Sequence, residues 1–157
     1  MPLKTQIPTP IPLAQTPTPL EFLERVSVDL GVSVYVKRDD LTGMGLSGNK
    51  VRKLEYLFAE ALAEGSDHVL TCGAIQSNHC RATAVAAARL HLSSTVVLHG
   101  EPEAAPDGNF LIDELVGAEI VNITLQEYRD RNAIMERQAD RLRAEGKRPY
   151  IIPQRIC

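Results

Sequence analysis

Apolar positions change their spacing several times along the chain, and each change marks an element. Leu20, Leu23, Val26 and Leu30 recur at helical spacing with Gly31 behind them, which predicts a short helix over residues 20–30. Val32, Val34 and Val36 then alternate with Ser33, Tyr35 and Lys37, the period of a strand, and the strand runs into the charged stretch Lys37-Arg38-Asp39-Asp40. Those charges are expected to pair with one another or to cap the next turn. Gly43, Gly45 and Gly48 make a loop that leads into a helix from Asn49 to about Glu64, with Gly65 as its C-cap. Beyond it, short apolar strands at residues 69–72, 95–98, 120–123 and 150–152 alternate with helices at 78–90, 108–116 and 126–145. Right-handed crossovers make such strands parallel, so the expected class is α/β, a parallel open sheet with helices on both faces. Residues 1–19, rich in Pro and Thr, cannot sustain a helix or an inner strand and should wrap over a surface.

Composition narrows the function classes. A chain of 157 residues is about one domain's worth and can bury a real core. Its 17 Lys and Arg against 20 Asp and Glu give a net charge of -3, which provides no basic field for nucleic acid. No apolar run approaches the roughly 18 residues of a membrane helix, and the proline-rich start lacks a signal-peptide core. The expected location is the cytoplasm, with neither nucleic acid nor membrane as a partner. Cys72, Cys80 and Cys157 are odd in number and match no zinc or disulfide spacing, so reduced thiols are expected. Cys80 falls near a helix start, where a thiolate would be stabilised, but it reads more simply as a small buried side chain. His68, His91 and His99 lack metal-ligand spacing and read as ordinary surface or edge histidines; no metal is expected.

Two stretches carry candidate chemistry. In Ser47-Gly48-Asn49-Lys50-Val51-Arg52-Lys53-Leu54-Glu55, Lys50 falls in the first helical turn. The positive end of the helix dipole and the charge of Lys53 one turn on both disfavour its protonated form. A neutral lysine amine is the nucleophile that forms a Schiff base with a carbonyl compound such as pyridoxal 5'-phosphate. Two lysines in one turn are also ordinary on a solvated helix face. The second stretch, Gly73-Ala74-Ile75-Gln76-Ser77-Asn78-His79, joins a strand end to a helix start, where open parallel sheets bind ligands. Backbone donors there, with the Ser77 hydroxyl and the Asn78 amide, suit a substrate carboxylate or the phenolate oxygen of such a cofactor. N-capping alone would account for one of Ser77 and Asn78, but not for Gln76, Ser77, Asn78 and His79 together.

Three ordered segments, Lys37-Arg38-Asp39-Asp40-Leu41-Thr42, Gly48-Asn49-Lys50-Val51-Arg52-Lys53-Leu54-Glu55-Tyr56-Leu57 and Gln76-Ser77-Asn78-His79, closely resemble one enzyme family. It is the pyridoxal-phosphate-dependent family of D-cysteine desulfhydrases and 1-aminocyclopropane-1-carboxylate deaminases. The resemblance runs from about Thr16 to Pro153. It implies the fold type II architecture of tryptophan synthase β-like enzymes. Residues 1–55 would then belong to the larger cofactor-binding domain and residues 56–153 would form the smaller α/β domain. The resemblance implies pyridoxal 5'-phosphate as cofactor, Lys50 as the Schiff-base lysine and Lys53 as a contributor to the phosphate site. Asn78 would hydrogen-bond the cofactor ring oxygen, Ser77 would be the catalytic serine on the substrate side, and Ser77, Asn78 and His79 would bind substrate. His79 and the Lys37–Asp40 wording match the desulfhydrase-like branch, whereas the ring-opening branch more often has Gln at the histidine position.

The implied reaction on a small amino acid is α,β-elimination from D-cysteine to pyruvate, ammonia and sulfide, in a complete protein that is a homodimer. Its alternative is ring opening of aminocyclopropane carboxylate, with Ser77 in a more direct role. Two departures stand out: Ser47 occupies a position where the family usually has Gly, and residues 154–157 replace a Gly-Gly-Ser segment and the rest of the larger domain. A truncation or frame change is therefore expected, and a third reading is a non-catalytic α/β domain that binds an anion at Ser77 and Asn78 or pairs with another protein.

Overall fold

The computed structural model describes residues 9–43, 45–101 and 105–152. Strands Leu20–Phe22 (β1) and Tyr35–Lys37 (β2) pair antiparallel as a small separate sheet. Four strands, His68–Ala74 (β3), Ser93–His99 (β4), Glu119–Ile123 (β5) and Pro149–Ile151 (β6), form a parallel sheet in the order β5-β4-β3-β6. The helices are Glu24–Leu30 (α1), Asn49–Ala63 (α2), Asn78–Arg89 (α3), Gly108–Leu115 (α4) and Arg131–Ala144 (α5).

Alternation along the central strands explains how both sheet faces are covered. Val69 packs with Val51, Leu54 and Phe58 of α2 and with Ala82 and Ala86 of α3. Leu70 and Cys72 take part in the cluster formed with Ile134, Met135, Ala139 and Leu142 of α5. Val96 and Leu98 of β4 meet Ala84 of α3 and Phe110 of α4. The small alanines of α3 let that helix lie close to the sheet, and burying each large side chain such as Leu54 or Phe58 contributes roughly 1.5–3 kcal/mol. Cys72 and Cys80 are both buried, as small apolar side chains are, and burial pushes the Cys72 thiol up.

The proline-rich segment, from residue 9 onward, wraps over the α2 and α3 surface as its composition predicts. The Leu13 and Ala14 amides donate to Glu55 Oε1 at 3.1 and 3.0 Å, and Arg89 donates to the Leu13 carbonyl at 3.1 Å. Residues 1–8 and the tail 153–157, including Cys157, lie outside the described residues. In the charged stretch Arg38 binds both Asp40 and Glu21, Thr18 donates to Asp39, and Lys37 donates to the Thr18 carbonyl.

Three expectations are corrected. The helix predicted over residues 20–30 starts only at Glu24, because Leu20–Phe22 finds strand partners in β2, with Leu20 opposite Lys37. A partner 13 to 17 residues ahead leaves no mark on local helical spacing. The helix predicted over 126–145 is divided into a 3-10 turn at Glu127–Asp130 and α5. The Glu127 carboxylate accepts from both the backbone and the hydroxyl of Thr124, at 2.7 and 2.9 Å, and this pins the turn. His68 is no surface histidine: it is buried in a central strand, 2.7 Å from Thr95 Oγ1. The Thr95 hydroxyl gives its proton to Glu119, so His68 Nε2 is the donor in that pair, and burial pushes the imidazole below its ordinary range.

Candidate functional site

The loop before α2 is knotted by Thr42. Its fully buried hydroxyl lies 2.9 Å from the carbonyls of Asp39 and Leu46 and accepts from the Gly48 amide at 3.1 Å. Gly48, with φ at +94°, then turns the chain into the helix and delivers Lys50 to its first turn. Ser47 does not need the freedom of glycine, since His91 is the sole non-glycine residue with positive φ among the described residues. Its carbonyl and hydroxyl instead accept from the Arg81 guanidinium of α3, at 3.1 and 3.3 Å, which ties the lysine-bearing loop to the second motif.

That motif leaves β3 through Gly73. A Cβ at this position would lie 2.7 Å from Ser77 Oγ and 2.8 Å from Cys80 Sγ, so the absence of a side chain lets the turn fold back onto the strand. Ser77 is the N-cap of α3, accepting from the Cys80 amide at 3.2 Å, as capping chemistry predicts for one of the two candidates. Asn78 makes a different contact: its Oδ1 accepts from the Asn109 side chain at 3.0 Å. His79 Nε2 lies 3.0 Å from Thr71 Oγ1. Burial first, then the charges of Lys50 and Lys53, push His79 down to about 4, so the ring is neutral at physiological pH. Lys50, Lys53 and His79 thus share one electrostatic neighbourhood, and Ser77 and Asn78 adjoin it in sequence at the α3 start.

Gln76, which sequence reasoning placed in the second motif without a role, and residues of α4 that it did not single out complete the arrangement. Gln76 donates to Asp107 Oδ1 at 2.7 Å and accepts from the Asn109 amide at 2.8 Å, so it caps α4 while Asp107 makes no side-chain cap bond to its own helix. Asn109 returns a bond to the Gln76 carbonyl at 2.8 Å. Glycine suits position 108, for its φ is +51° and a Cβ would come within 2.6 Å of Gln76 Oε1, so that the Gln76 side chain would have to shift. The partners lie 31 and 33 positions apart, beyond any local pattern; the sequence showed only Gln76 in the second motif and a helix start at residue 108. A cavity of about 190 Å³ beside this clamp is lined by Ile75, Gln76, Glu101, Asp107 and Phe110. Asp113, also on α4, is fully buried near Arg81, and burial pushes it up to about 7 against the opposing arginine charge.

A provisionally named 1-aminocyclopropane-1-carboxylate deaminase of Pyrococcus abyssi is 48% identical over 136 residues, covering 87% of this chain and 41% of that protein. The bifunctional D-cysteine desulfhydrase/1-aminocyclopropane-1-carboxylate deaminase, mitochondrial, of Arabidopsis thaliana is 45% identical over 148 residues, covering 90% of this chain and 37% of its own length. Among solved structures, an ACC deaminase homologue superposes with a TM-score of 0.86 at 41% identity, covering 95% of this chain and 45% of that one. An O-ureido-L-serine synthase, at 20% identity and a TM-score of 0.69 over 88% of this chain and 41% of its own, shares the fold. The chain therefore spans less than half the length of these relatives.

Pyridoxal phosphate presents an aldehyde, a phenolate oxygen and a phosphate, and the donor set here fits all three. Lys50 offers an amine, while Lys53 and the starts of α2 and α3 offer positive potential to anions. Neutral His79 brings no competing charge, and the Asn78 amide, its oxygen already engaged, retains its N–H donors. Residues 11–155 match the sequence profile described as "Pyridoxal-phosphate dependent enzyme", and the chain belongs to that family.

Proposed function

We propose that the protein carrying this chain is a pyridoxal-phosphate-dependent lyase of a small amino acid that eliminates sulfide from D-cysteine. The observation that supports the reading best is the convergence of Lys50, Lys53 and His79 beside the Ser77-Asn78 helix start. In this reading Lys50 holds the cofactor covalently, Lys53 and the α2 start hold its phosphate, and Asn78 donates to its ring oxygen. Ser77 and the first amides of α3 receive the substrate carboxylate. The bound cofactor supplies an electron sink for the pair released at the substrate α-carbon. With its amine free, Lys50 would take the substrate α-proton, and loss of the β-thiolate would leave aminoacrylate, whose hydrolysis gives pyruvate and ammonia. Residues 1–55 are assigned to the larger domain and 56–153 to the smaller, with α2 running across the boundary. The proposal extends to a homodimer in the cytoplasm, although the Arabidopsis relative's name is mitochondrial. No helix among the described residues is long and apolar enough to cross a membrane.

The second reading, ring opening of aminocyclopropane carboxylate, is favoured by the names of the Pyrococcus relative and of the solved homologue, while the Arabidopsis relative is named for both activities; the resemblance of the motif at His79 to the desulfhydrase-like branch favours D-cysteine. Assays of the full-length protein separate the two: sulfide from D-cysteine is expected, and 2-oxobutyrate from aminocyclopropane carboxylate without any sulfide would overturn the substrate assignment. Borohydride reduction followed by mass spectrometry should locate the cofactor on Lys50. Finding it on Lys53 would refute the assigned roles.

A further inference from the structure

We propose that Asn109 of α4 is a positioning residue for Asn78, deciding which end of the Asn78 amide the site offers to an anion. The inference rests on the reading above that Asn78 donates to the cofactor ring oxygen. An asparagine amide is nearly symmetric in shape and opposite in chemistry at its two ends, so its orientation follows from its partners. Two groups here can only accept, and they orient everything between them. The Asp107 carboxylate takes the Gln76 Nε2 donor, which leaves Gln76 Oε1 to accept from the Asn109 backbone amide. The Gln76 backbone carbonyl takes one proton of Asn109 Nδ2 at 2.8 Å, which requires that Asn109 turn its nitrogen toward α3. The second proton of that nitrogen then points to Asn78, which answers with Oδ1 at 3.0 Å and keeps Nδ2 as its outward donor. Gly108 permits the close approach, since a side chain there would collide with Gln76 Oε1. Helix α4, which contributes none of the residues assigned to bind cofactor or substrate, thus sets the polarity of a group at the start of α3.

The test uses the full-length protein and reads pyridoxal phosphate affinity by equilibrium dialysis, with turnover not required. Asn109→Asp keeps the shape but can only accept, so Asn78 turns its nitrogen toward residue 109 and presents its oxygen to the cofactor. Affinity should fall about tenfold, the worth of one hydrogen bond to a charged group. Asn109→Ala, which leaves Asn78 unbiased, should weaken binding less, whereas a purely structural role ranks the isosteric Asp as the milder change. In an Asn78→Ala background, Asn109→Asp should have little further effect. If Asn78→Ala leaves affinity unchanged, the role of Asn78 fails and the inference with it. If Asn78→Ala weakens binding but Asn109→Asp does not, or acts equally in both backgrounds, the positioning role alone is overturned. Thermal midpoints of the apo variants identify loss of fold, in which case the Ala variant and its double mutant decide.

Discussion

Asp113 and His79 show how burial sets the pH response of single residues in this fold. Both Asp113 carboxylate oxygens are buried without a hydrogen-bond partner, and the group is raised to about 7. Between the ordinary carboxylate range and pH 7 the folded state holds a proton that the unfolded chain has released, so this contribution to stability is lost as pH rises through that window. His79 runs the other way: with a folded value of about 4 against 6.5, the unfolded chain binds the proton first and stability falls as pH drops from 6.5 to 4. The two slopes oppose each other. Asp113→Asn should therefore stabilise the protein at pH 7.5, by up to roughly 4 kcal/mol for a shift of about three pKa units, and much less at pH 4.5. Urea midpoints at the two pH values measure the difference, and an equal effect at both would show that Asp113 is ionised throughout.

At the scale of elements, the start of α3 depends on how closely the β3 turn folds back. Gly73 allows Ser77 and Cys80 to sit where a Cβ would be, at 2.7 and 2.8 Å. Gly73→Ala is expected to cost roughly 1–3 kcal/mol through overpacking and to displace the Ser77 cap. Thermal unfolding measures the first effect, and reduced affinity for pyridoxal phosphate the second; unchanged values for both would mean that the turn relaxes freely. Helices α2, α3 and α4 were legible from spacing and punctuation because the apolar positions of each face recur within a few residues, although the side-chain cap of α4 comes from distant Gln76. β1 was not: Leu20–Phe22 carries helical spacing, and only pairing with Tyr35–Lys37 makes it a strand. Likewise the hydrogen bonds of Glu127 to Thr124, rather than any break in composition, separate the 3-10 turn from α5.

At the scale of the molecule, β1, α1, β2 and the connection between the last two present Leu20, Phe22, Val28, Leu30, Val32 and Tyr35 to solvent, with Val28 76% and Leu30 65% exposed. A face of this kind favours association. A polypeptide of these 157 residues alone should self-associate in sedimentation velocity runs, and Val28→Lys with Leu30→Lys should shift it toward monomer; a monomeric unsubstituted chain would contradict this. The same polypeptide should release no more sulfide from D-cysteine than free pyridoxal phosphate does, because catalysis draws on oriented contacts and water exclusion around the whole cofactor. Sulfide above that background, lost on Lys50→Ala, would show that this portion suffices.

The sequence by itself determined the α/β alternation, Lys50 in the first turn of its helix, a helix cap at Ser77 or Asn78 and the family that three ordered motifs resemble; the structure chose Ser77. These features are local: periodicity reports the apolar face of an element, and capping and turn chemistry act over a few residues. Only the tertiary structure decided the strand order, the burial of His68 against Thr95, the Arg81 tie to Ser47, the isolation of Asp113 and the bond from Asn109 to Asn78. Each joins or isolates groups carried on different elements, and which side chains meet there is settled only when the crossovers lay those elements side by side.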